Sequence, residues 1–137
     1  MTDQKSKVQV WIHSPRKVLI LKTNEKRGYF WQPVTGGVEE GEDLAAAALR
    51  EASEETGARF GQPIVPLGYR FTFERKGRPI EETVFALGTD QEFDVRLDPA
   101  EHIEARWVSP EEALELVKFE SNREGLRRLI AKSKESK

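Results

Sequence analysis

Residues 35–57 constrain the fold of this chain more than any other segment, because a glycine-rich acidic loop runs directly into a helix-forming stretch. The segment reads TGGVEEGEDLAAAALREASEETG. Asp43 is a favourable helix N-cap, and the alanine, leucine, glutamate and arginine residues after it strongly favour helix. We therefore predict an acidic loop followed by one amphipathic helix over residues 43–56.

The predicted helix carries its acids and its small apolar residues on neighbouring arcs. At about 100° per residue, Glu51, Glu54 and Glu55 share an arc of about 100°. The apolar arc beside it is the predicted core face, whose small alanine side chains would allow the helix to lie close to a sheet. The residues of this arc are Ala45, Ala48, Leu49 and Ala52. Arg50 lies one turn before Glu54, so the two side chains are expected to pair.

This acidic arc has two interpretations. The first is an ordinary solvated helix face. The second is a metal site, because Glu51 and Glu55 are like charges four residues apart and acids crowd the last turn, where the helix dipole favours cations. A divalent cation removes this repulsion, and Mg²⁺ prefers carboxylate oxygens and commonly bridges to substrate phosphates.

Composition restricts the class of protein. A chain of 137 residues has the size of one domain, and 37% hydrophobic residues are enough for a folded core. The net charge of -2 and the lack of a visible basic stripe argue against a long nucleic acid as partner. The absence of cysteine excludes disulfides and zinc thiolates. No apolar run suits a membrane span and MTDQKSK lacks a secretory apolar core, so we expect a cytoplasmic protein.

The remaining sequence predicts alternating strands and helices in a single domain, residues 1–137, of the α/β or α+β class with a mixed sheet. Two C-terminal helices are predicted to begin with capping boxes at Ser109 and Ser121, and the tail is expected to fray from about residue 131. The predicted strands cover residues 7–13, 18–22, 64–75, 82–89 and 105–109.

The acidic loop and helix together match a known motif. The segment resembles the Nudix box, G-x5-E-x7-R-E-U-x-E-E-x-G-U, and only Ala52 and Ala58 are smaller than the aliphatic residues that the family prefers. The matching positions are Gly36-x5-Glu42-x7-Arg50-Glu51-Ala52-x-Glu54-Glu55-x-Gly57-Ala58. The resemblance to Nudix hydrolases implies a Nudix fold, an α-β-α sandwich with a mixed β-sheet.

Segments outside the box extend the resemblance to one branch of the family. YFWQPVTGGVEEGE and the late SNR resemble the branch that contains dihydroneopterin triphosphate pyrophosphatase, which also acts on dATP-like nucleotides. Glu101 and His102, ahead of Arg106 and Trp107, occupy the place of an acid and a histidine in that branch. The resemblance implies a nucleoside or pteridine triphosphate as the small-molecule substrate, hydrolysed to monophosphate and diphosphate.

The resemblance also implies roles for the box residues. Mg²⁺ or Mn²⁺ would be held by the carbonyl of Gly36 and by carboxylates, with water attacking a phosphorus atom. The implied metal ligands are Gly36, Glu51, Glu54, Glu55 and Glu101, and the implied catalytic residues are Glu54, Glu55, Glu101 and Arg50. Glu101 is our candidate base, with a surface loop glutamate as the alternative, whereas His13, His102 and Glu42 are interpreted as structural or exposed.

Residues outside the box are expected to determine substrate specificity. The predicted substrate-binding residues are Trp31, Thr35, Arg70, Phe73, Asn122 and Arg123. Core packing is the alternative for Trp31 and Phe73. The residues that would steer a triphosphate are Lys5, Lys7, Lys22 and Arg27, with ordinary solvated side chains on a strand edge as the alternative.

Other functions stay open at this point. One is a Nudix hydrolase of another specificity, for diadenosine polyphosphate, a nucleotide sugar or an RNA 5′ end. Another is a non-catalytic domain that senses a nucleotide, although such domains usually lose a box acid and this chain keeps them all. Many relatives form homodimers, and no feature of this sequence decides the oligomeric state.

Overall fold

The computed structural model describes residues 5–135, which form a seven-stranded sheet and three α-helices. The strands are β1 (Lys5–His13), β2 (Val18–Thr23), β3 (Trp31–Gln32), β4 (Val34–Gly37), β5 (Ile64–Arg75), β6 (Arg78–Gly88) and β7 (His102–Val108). The helices are α1 (Leu44–Thr56), α2 (Pro110–Leu116) and α3 (Glu120–Glu135), with a 3-10 turn at Glu25–Arg27. The predicted α+β class with a mixed sheet is confirmed.

Strand β1 organises the sheet because it contacts three other strands. The order is β3-β2-β1-β6-β5, with β4 also paired to β1 and β7 to β2. Strands β1 and β6 run parallel from the pair Lys5 and Ile80 to the pair His13 and Gly88. Strand β4 runs antiparallel to β1, so that Gly37 lies opposite Lys7 and Gly36 opposite Val8. This pairing fixes the glycines of the box against the first half of β1.

The alternation of side chains along β1 divides the core into two layers. Val8, Val10 and Ile12 are buried in the cluster that contains the alanines of α1. Trp11 lies in the other cluster, with residues of α2 and α3. Helices therefore cover both faces of the sheet, and the predicted α-β-α sandwich is confirmed.

Helix α1 begins and ends as its sequence predicts. The Asp43 side chain accepts a hydrogen bond of 3.2 Å from the amide of Ala46, and Gly57 ends the helix with a φ of 73°. The predicted core face is wrong at Leu49, which is 38% exposed, whereas Ala47 is fully buried. The buried arc is rotated toward the acids, so that it includes Glu55.

Of the two C-terminal helices, α2 begins as predicted, whereas α3 differs from prediction at both ends. Ser109 caps α2 through a 3.1 Å bond from the amide of Glu112, as predicted. Helix α3 begins at Glu120, one residue before the predicted cap Ser121. It continues through residue 135, into the segment expected to fray, and Lys132 and Lys134 in its last turn suit the helix dipole. Residues 136–137 of that segment lie outside the described residues.

The helices were compared with the length and composition that a membrane span needs. None of those within residues 5–135 has both the length and the apolar composition that a bilayer span requires.

A chain of buried polar groups lies between β1, β6 and α3. Trp11 Nε1 donates to Gln9 Oε1 at 2.8 Å, and Gln9 Nε2 donates to Glu82 Oε2 at 2.9 Å. Glu82 is only 5% exposed, and burial raises the pKa of its carboxyl above the ordinary value of 4.5. Ionisation of Glu82 is therefore less favourable in the folded protein than in the unfolded chain.

The raised pKa predicts how stability depends on pH at Glu82. The contribution of Glu82 to the free energy of unfolding is complete below the pKa that Glu82 has in the unfolded chain. It is lost as pH rises through the pKa that Glu82 has in the folded protein. Relative to Glu82→Gln, the wild type should lose free energy of unfolding between pH 4 and pH 7, by about 1 kcal/mol. Denaturant titrations at both pH values measure this, with Glu81→Gln on the same strand as control. Parallel pH dependence in wild type and Glu82→Gln would contradict the assignment.

Candidate active site

Gly36 brings the β4 backbone directly against the helix. A Cβ atom on Gly36 would overlap the Glu51 carboxyl, whereas one on Gly37 would meet nothing within 4 Å. A side chain at position 36 would therefore displace the Glu51 carboxyl group from this contact. The close approach places the Glu51 carboxylate against the backbone of the box loop.

Glu51 and Glu55 form a pair of carboxyl groups at this contact. Glu55 is only 3% exposed and shares a hydrogen bond with Glu51, while its Oε1 has no hydrogen-bond partner. Burial, together with the hydrogen bond and negative charge of Glu51, raises the pKa of Glu55 to about 10. Burial also raises the pKa of Glu51. The pair is therefore held together by a proton in the absence of another cation.

His102 and Gln32 wall the buried side of this pair. His102 Nε2 lies 4.0 Å from Glu55 Oε1 and 3.3 Å from Gln32 Nε2. Burial, with the nearby charge of Arg27, lowers the pKa of His102 to about 4, so its ring is neutral at pH 7. The structural interpretation of His102 agrees with this position. Gln32 was missed because it lies in a two-residue strand, too short for periodicity to reveal.

Arg50 ties the loop to the helix. Its guanidinium makes two hydrogen bonds to Glu42, of 2.8 and 2.9 Å, and one of 2.9 Å to the carbonyl of Gly37. It also reaches Glu54 at 3.0 Å and Glu51 at 3.1 Å, so the predicted pairing with Glu54 is confirmed. The hydrogen bonds from Arg50 lower the pKa of Glu42 to about 2. Arg50 thus positions the acids and the loop together.

An open cleft of about 1180 Å³ adjoins the carboxyl pair and gathers several of the predicted residues. Its lining includes Thr35, Gly36, Glu51 and Glu101 from the predicted site. Two sets of charged side chains line it. The acids are Glu39, Glu40, Glu42, Glu51 and Glu101, and the cations are Lys5, Lys7, Arg27, Arg75, Lys76 and Arg78. The sequence had suggested Lys5, Lys7 and Arg27, but not the three cations from residues 75–78.

Glu101 lies just before β7, at the side of the cleft near Glu55. Its carboxylate is 3.8 Å from Arg27 Nη1, and its side chain is 45% exposed. Its negative charge contributes to the raised pKa of Glu55, which places the two carboxyls within electrostatic reach. A solvent-accessible carboxylate at this position has the access that a base for water requires.

Five of the predicted substrate-binding residues are not among those that line this cleft: Trp31, Arg70, Phe73, Asn122 and Arg123. Arg123 donates to the carbonyl of Val117 at 2.7 Å and to Glu120, which joins α2 to α3. Arg70 lies 3.5 Å from Glu81. The Trp31 ring is covered by the Arg106 guanidinium at 4.9 Å. Their binding roles stay predictions.

The carboxyl pair has the chemistry of a divalent-metal site. Within the described part of the chain, no group of three or more His, Asp or Glu side chains is already arranged to chelate an ion. However, Glu51 and Glu55 offer hard oxygen ligands beside the Gly36 backbone, and Glu55 Oε1 is buried without a partner. A divalent cation such as Mg²⁺ or Mn²⁺ would satisfy the unpartnered oxygen in place of the shared proton, so the chemistry of these residues fits such an ion.

The geometry agrees with the result of a family comparison. The profile of the NUDIX domain family matches residues 3–131. The chain therefore belongs to the NUDIX domain family, and its identification as a Nudix hydrolase from the box is confirmed.

Several named proteins are similar to the chain. It is 42% identical over 119 residues to an octanoyltransferase of Myxococcus xanthus, a match over 84% of this chain but only 32% of that protein. It is 32% identical to an RNA pyrophosphohydrolase of Novosphingobium aromaticivorans, over 70% of each chain. It is 37% identical to the asymmetrical bis(5'-nucleosyl)-tetraphosphatase of Rattus norvegicus, over 67% of this chain and 64% of that protein.

One solved structure has the same fold as this protein and matches it over nearly the whole length of both chains. The dihydroneopterin triphosphate pyrophosphohydrolase of E. coli superposes with a TM-score of 0.82 at 26% identity, over 93% of this chain and 95% of that one. The match spans most of both chains, and the matched protein belongs to the branch that the flanking segments suggested.

Gly36→Ala tests the contact between the loop and Glu51. The added methyl group has to displace the carboxylate, and such a shift should lower kcat by about 100-fold. Steady-state kinetics under conditions where circular dichroism shows a folded protein measures the effect. Gly37→Ala on the same strand is the matched control and should retain wild-type activity. Equal activity of both variants would contradict the proposed crowding.

Proposed function

We propose that this protein is a Mg²⁺- or Mn²⁺-dependent pyrophosphohydrolase that converts a nucleoside or pteridine triphosphate to its monophosphate and diphosphate. The observation that carries this proposal is the hydrogen-bonded Glu51–Glu55 pair, packed against Gly36 at the edge of a cleft with a cationic side. Carboxylates beside a cationic surface suit a metal–phosphate substrate. The E. coli pyrophosphohydrolase with the same fold supports the choice of substrate class.

Each box residue has a separate task in this proposal. Glu51, Glu55 and the Gly36 carbonyl would hold the metal, and Glu54 would complete or orient this set of ligands from the exposed side of α1. Arg50 holds Glu42, Glu54 and the Gly37 carbonyl in fixed positions through hydrogen bonds of 2.8–3.0 Å. When bound, the metal lowers the pKa of water and neutralises charge on the bridging phosphate oxygens.

Gln32 and His102 form a neutral wall behind the carboxyl pair. Because His102 is uncharged, it does not compete with a metal for the Glu55 carboxylate. Its position 4.0 Å from Glu55 Oε1 limits the space in which this carboxyl group can move. We propose that Gln32 and His102 hold Glu55 in the orientation that faces Glu51.

Glu101 is the proposed base that accepts a proton from the attacking water. Replacement by Gln keeps the shape but removes the basic group, so kcat should fall by about 10²-fold or more. Steady-state kinetics with Mg²⁺ measures this loss, and an unchanged kcat would remove Glu101 from the reaction.

A second candidate is hydrolysis of a dinucleoside oligophosphate. The six cations that line the cleft favour it, since a longer phosphate chain brings more negative charge. The rat tetraphosphatase, similar over two-thirds of this chain, also supports this candidate. A homodimer and a cytoplasmic location stay predictions.

A substrate panel with Mg²⁺, analysed by its products, tests the function. Diphosphate with the matching monophosphate from dATP or dihydroneopterin triphosphate is the expected result. ATP released from diadenosine tetraphosphate as the preferred reaction would favour the second candidate. No hydrolysis of any phosphoanhydride by the folded protein would contradict both.

Glu55→Gln and Glu51→Gln test the carboxyl pair. Each variant loses a charged metal ligand, so turnover should fall by about 10³-fold with Mg²⁺ present. The metal-free Glu55→Gln protein should be at least as stable as wild type in thermal unfolding, because an amide replaces a buried acid. Glu111→Gln, on the exposed start of α2, is the control. Wild-type turnover in both site variants would contradict the metal assignment.

A further inference from the structure

The first residues of β7, next to the cleft, contain a β-bulge. The register between β2 and β7 shifts there by one residue, which leaves Ile103 as an extra, half-exposed residue. Alternation along the strand would otherwise place His102 on the same face of the sheet as Glu104. The shift places it opposite Thr23 instead, on the face that packs against α1. His102 therefore lies 4.0 Å from Glu55 Oε1, and bulges beside active sites commonly re-aim side chains in this way.

Glu101 directly precedes this bulged strand, at the end of a turn over residues 98–101. The amides of Glu101 and His102 both donate to the carbonyl of Asp98 at 2.9 Å, and the amide of Ala100 donates to the Asp98 carboxylate at 3.0 Å. The turn ends a segment, residues 89–101, without helix or strand. Because loops are more mobile than the strands they connect, the position of the Glu101 carboxylate depends on what holds this turn.

Asn24, at the end of β2, holds the turn through three hydrogen bonds. Its side-chain Nδ2 donates to the carbonyls of Pro99 at 3.1 Å and Ala100 at 2.9 Å. Its backbone amide donates to the carbonyl of Glu101 at 3.1 Å, which continues the contact between β2 and β7 past the bulge. Asn24 thus binds three consecutive carbonyls of the turn, a contact that we call the Asn24 clamp.

The same residue sets the position of Arg27. Asn24 Oδ1 accepts a bond of 3.2 Å from the amide of Arg27 and caps the 3-10 turn that contains it. The carbonyl of Asn24 also accepts bonds of 3.0–3.1 Å from the amides of residues 27–29. Arg27 Nη1 lies 3.8 Å from the Glu101 carboxylate, and both side chains line the cleft. One residue therefore fixes the backbone on both sides of this ion pair.

We propose that Asn24 is a positioning residue, which holds Glu101 where its carboxylate faces the cleft beside Glu55. This inference rests on the proposed function, in which Glu101 is the base. An amide side chain suits the task because it donates and accepts hydrogen bonds at once. The ordinary alternative is that Asn24 only caps the 3-10 turn, a task that Asp and Ser perform about equally well.

The variants Asn24→Asp and Asn24→Ser separate these two roles. Both keep an oxygen that can accept from the Arg27 amide, but neither can donate to two carbonyls, and Ser introduces no charge. With dATP and with diadenosine tetraphosphate, both variants should lower kcat about tenfold and change KM less than about twofold, because the base is displaced while other substrate contacts remain. Wild-type kcat in both variants would overturn the inference and leave the cap as the role of Asn24.

The matched control for this experiment is Ser109→Ala. It removes the cap of α2, a 3.1 Å bond to the amide of Glu112, at a helix that does not line the cleft. Its stability should fall as expected for a lost cap, while kcat stays at the wild-type value. A lower kcat in Ser109→Ala, equal to that of the Asn24 variants, would attribute the loss to general destabilisation and overturn the inference.

Combination with Glu101→Gln tests whether Asn24 acts through Glu101. Once the base is absent its position no longer matters, so Asn24→Ser should lower the kcat of Glu101→Gln less than about twofold. A further tenfold loss would show that Asn24 acts independently of Glu101 and would overturn the inference. Wild-type kcat in Glu101→Gln would overturn it together with the assignment of the base.

Amide hydrogen exchange measures the Asn24 clamp without substrate, metal or turnover. In Asn24→Ser, the amides of Glu101 and His102 should exchange at least about fivefold faster than in wild type, because their turn loses two hydrogen bonds. The amide of Gly57, at the end of α1, should exchange at the wild-type rate. Equal exchange at Glu101 and His102 would overturn the inference.

The exchange measurement also separates failure of the inference from failure of the proposed function. Absence of phosphoanhydride hydrolysis by wild type, with the expected exchange in Asn24→Ser, would contradict the function, whereas the clamp on the turn would stand.

Discussion

The enforced contact of two carboxyl groups is the constraint on which this structure depends. Glu51 and Glu55 share one hydrogen bond in a position where Glu55 is almost completely buried. Two negative charges cannot occupy this position together without a cation, so the pair holds a proton until something replaces it. The unpartnered Glu55 Oε1 shows that packing alone does not complete the site.

The rest of the fold holds this pair in place. Strand β1 carries β4, and Gly36 on β4 lets the backbone come directly against Glu51. On the helix, the small side chains Ala48 and Ala52 are fully buried and allow α1 to lie close to the sheet. Arg50 then connects the acids of the helix to the loop. An unfavourable carboxyl pair is thus retained by favourable packing around it, as is common at functional sites.

The sequence predicted those parts of the site in which spacing along one helix determines geometry. The N-cap Asp43 and the pairing of Arg50 with Glu54 follow directly from helix periodicity and are confirmed. Periodicity also suggested Leu49 as a core residue, but the contact with β4 rotates the buried face toward Glu55 and leaves Leu49 exposed. That rotation depends on tertiary packing, which a helical wheel does not contain.

Features built from distant segments were not predictable in the same way. The wall of Gln32 and His102 joins residues seventy positions apart. The cleft cations Lys5, Arg75, Lys76 and Arg78 come together through the parallel pair of β1 and β6, so no basic stripe is visible along the chain. Arg123 donates to the Val117 carbonyl at the junction of α2 and α3, a contact that side-chain chemistry alone did not indicate, and its role at the substrate stays a prediction.

Binding of Mn²⁺ in the absence of substrate tests the central claim most directly. Electron paramagnetic resonance counts free Mn²⁺ and gives its affinity for the wild type, Glu51→Gln, Glu55→Gln and the exposed control Glu111→Gln. If the carboxyl pair is the metal site, the first two variants should bind Mn²⁺ at least about tenfold more weakly and the control should equal wild type. Equal Mn²⁺ affinity in all four proteins would contradict the account.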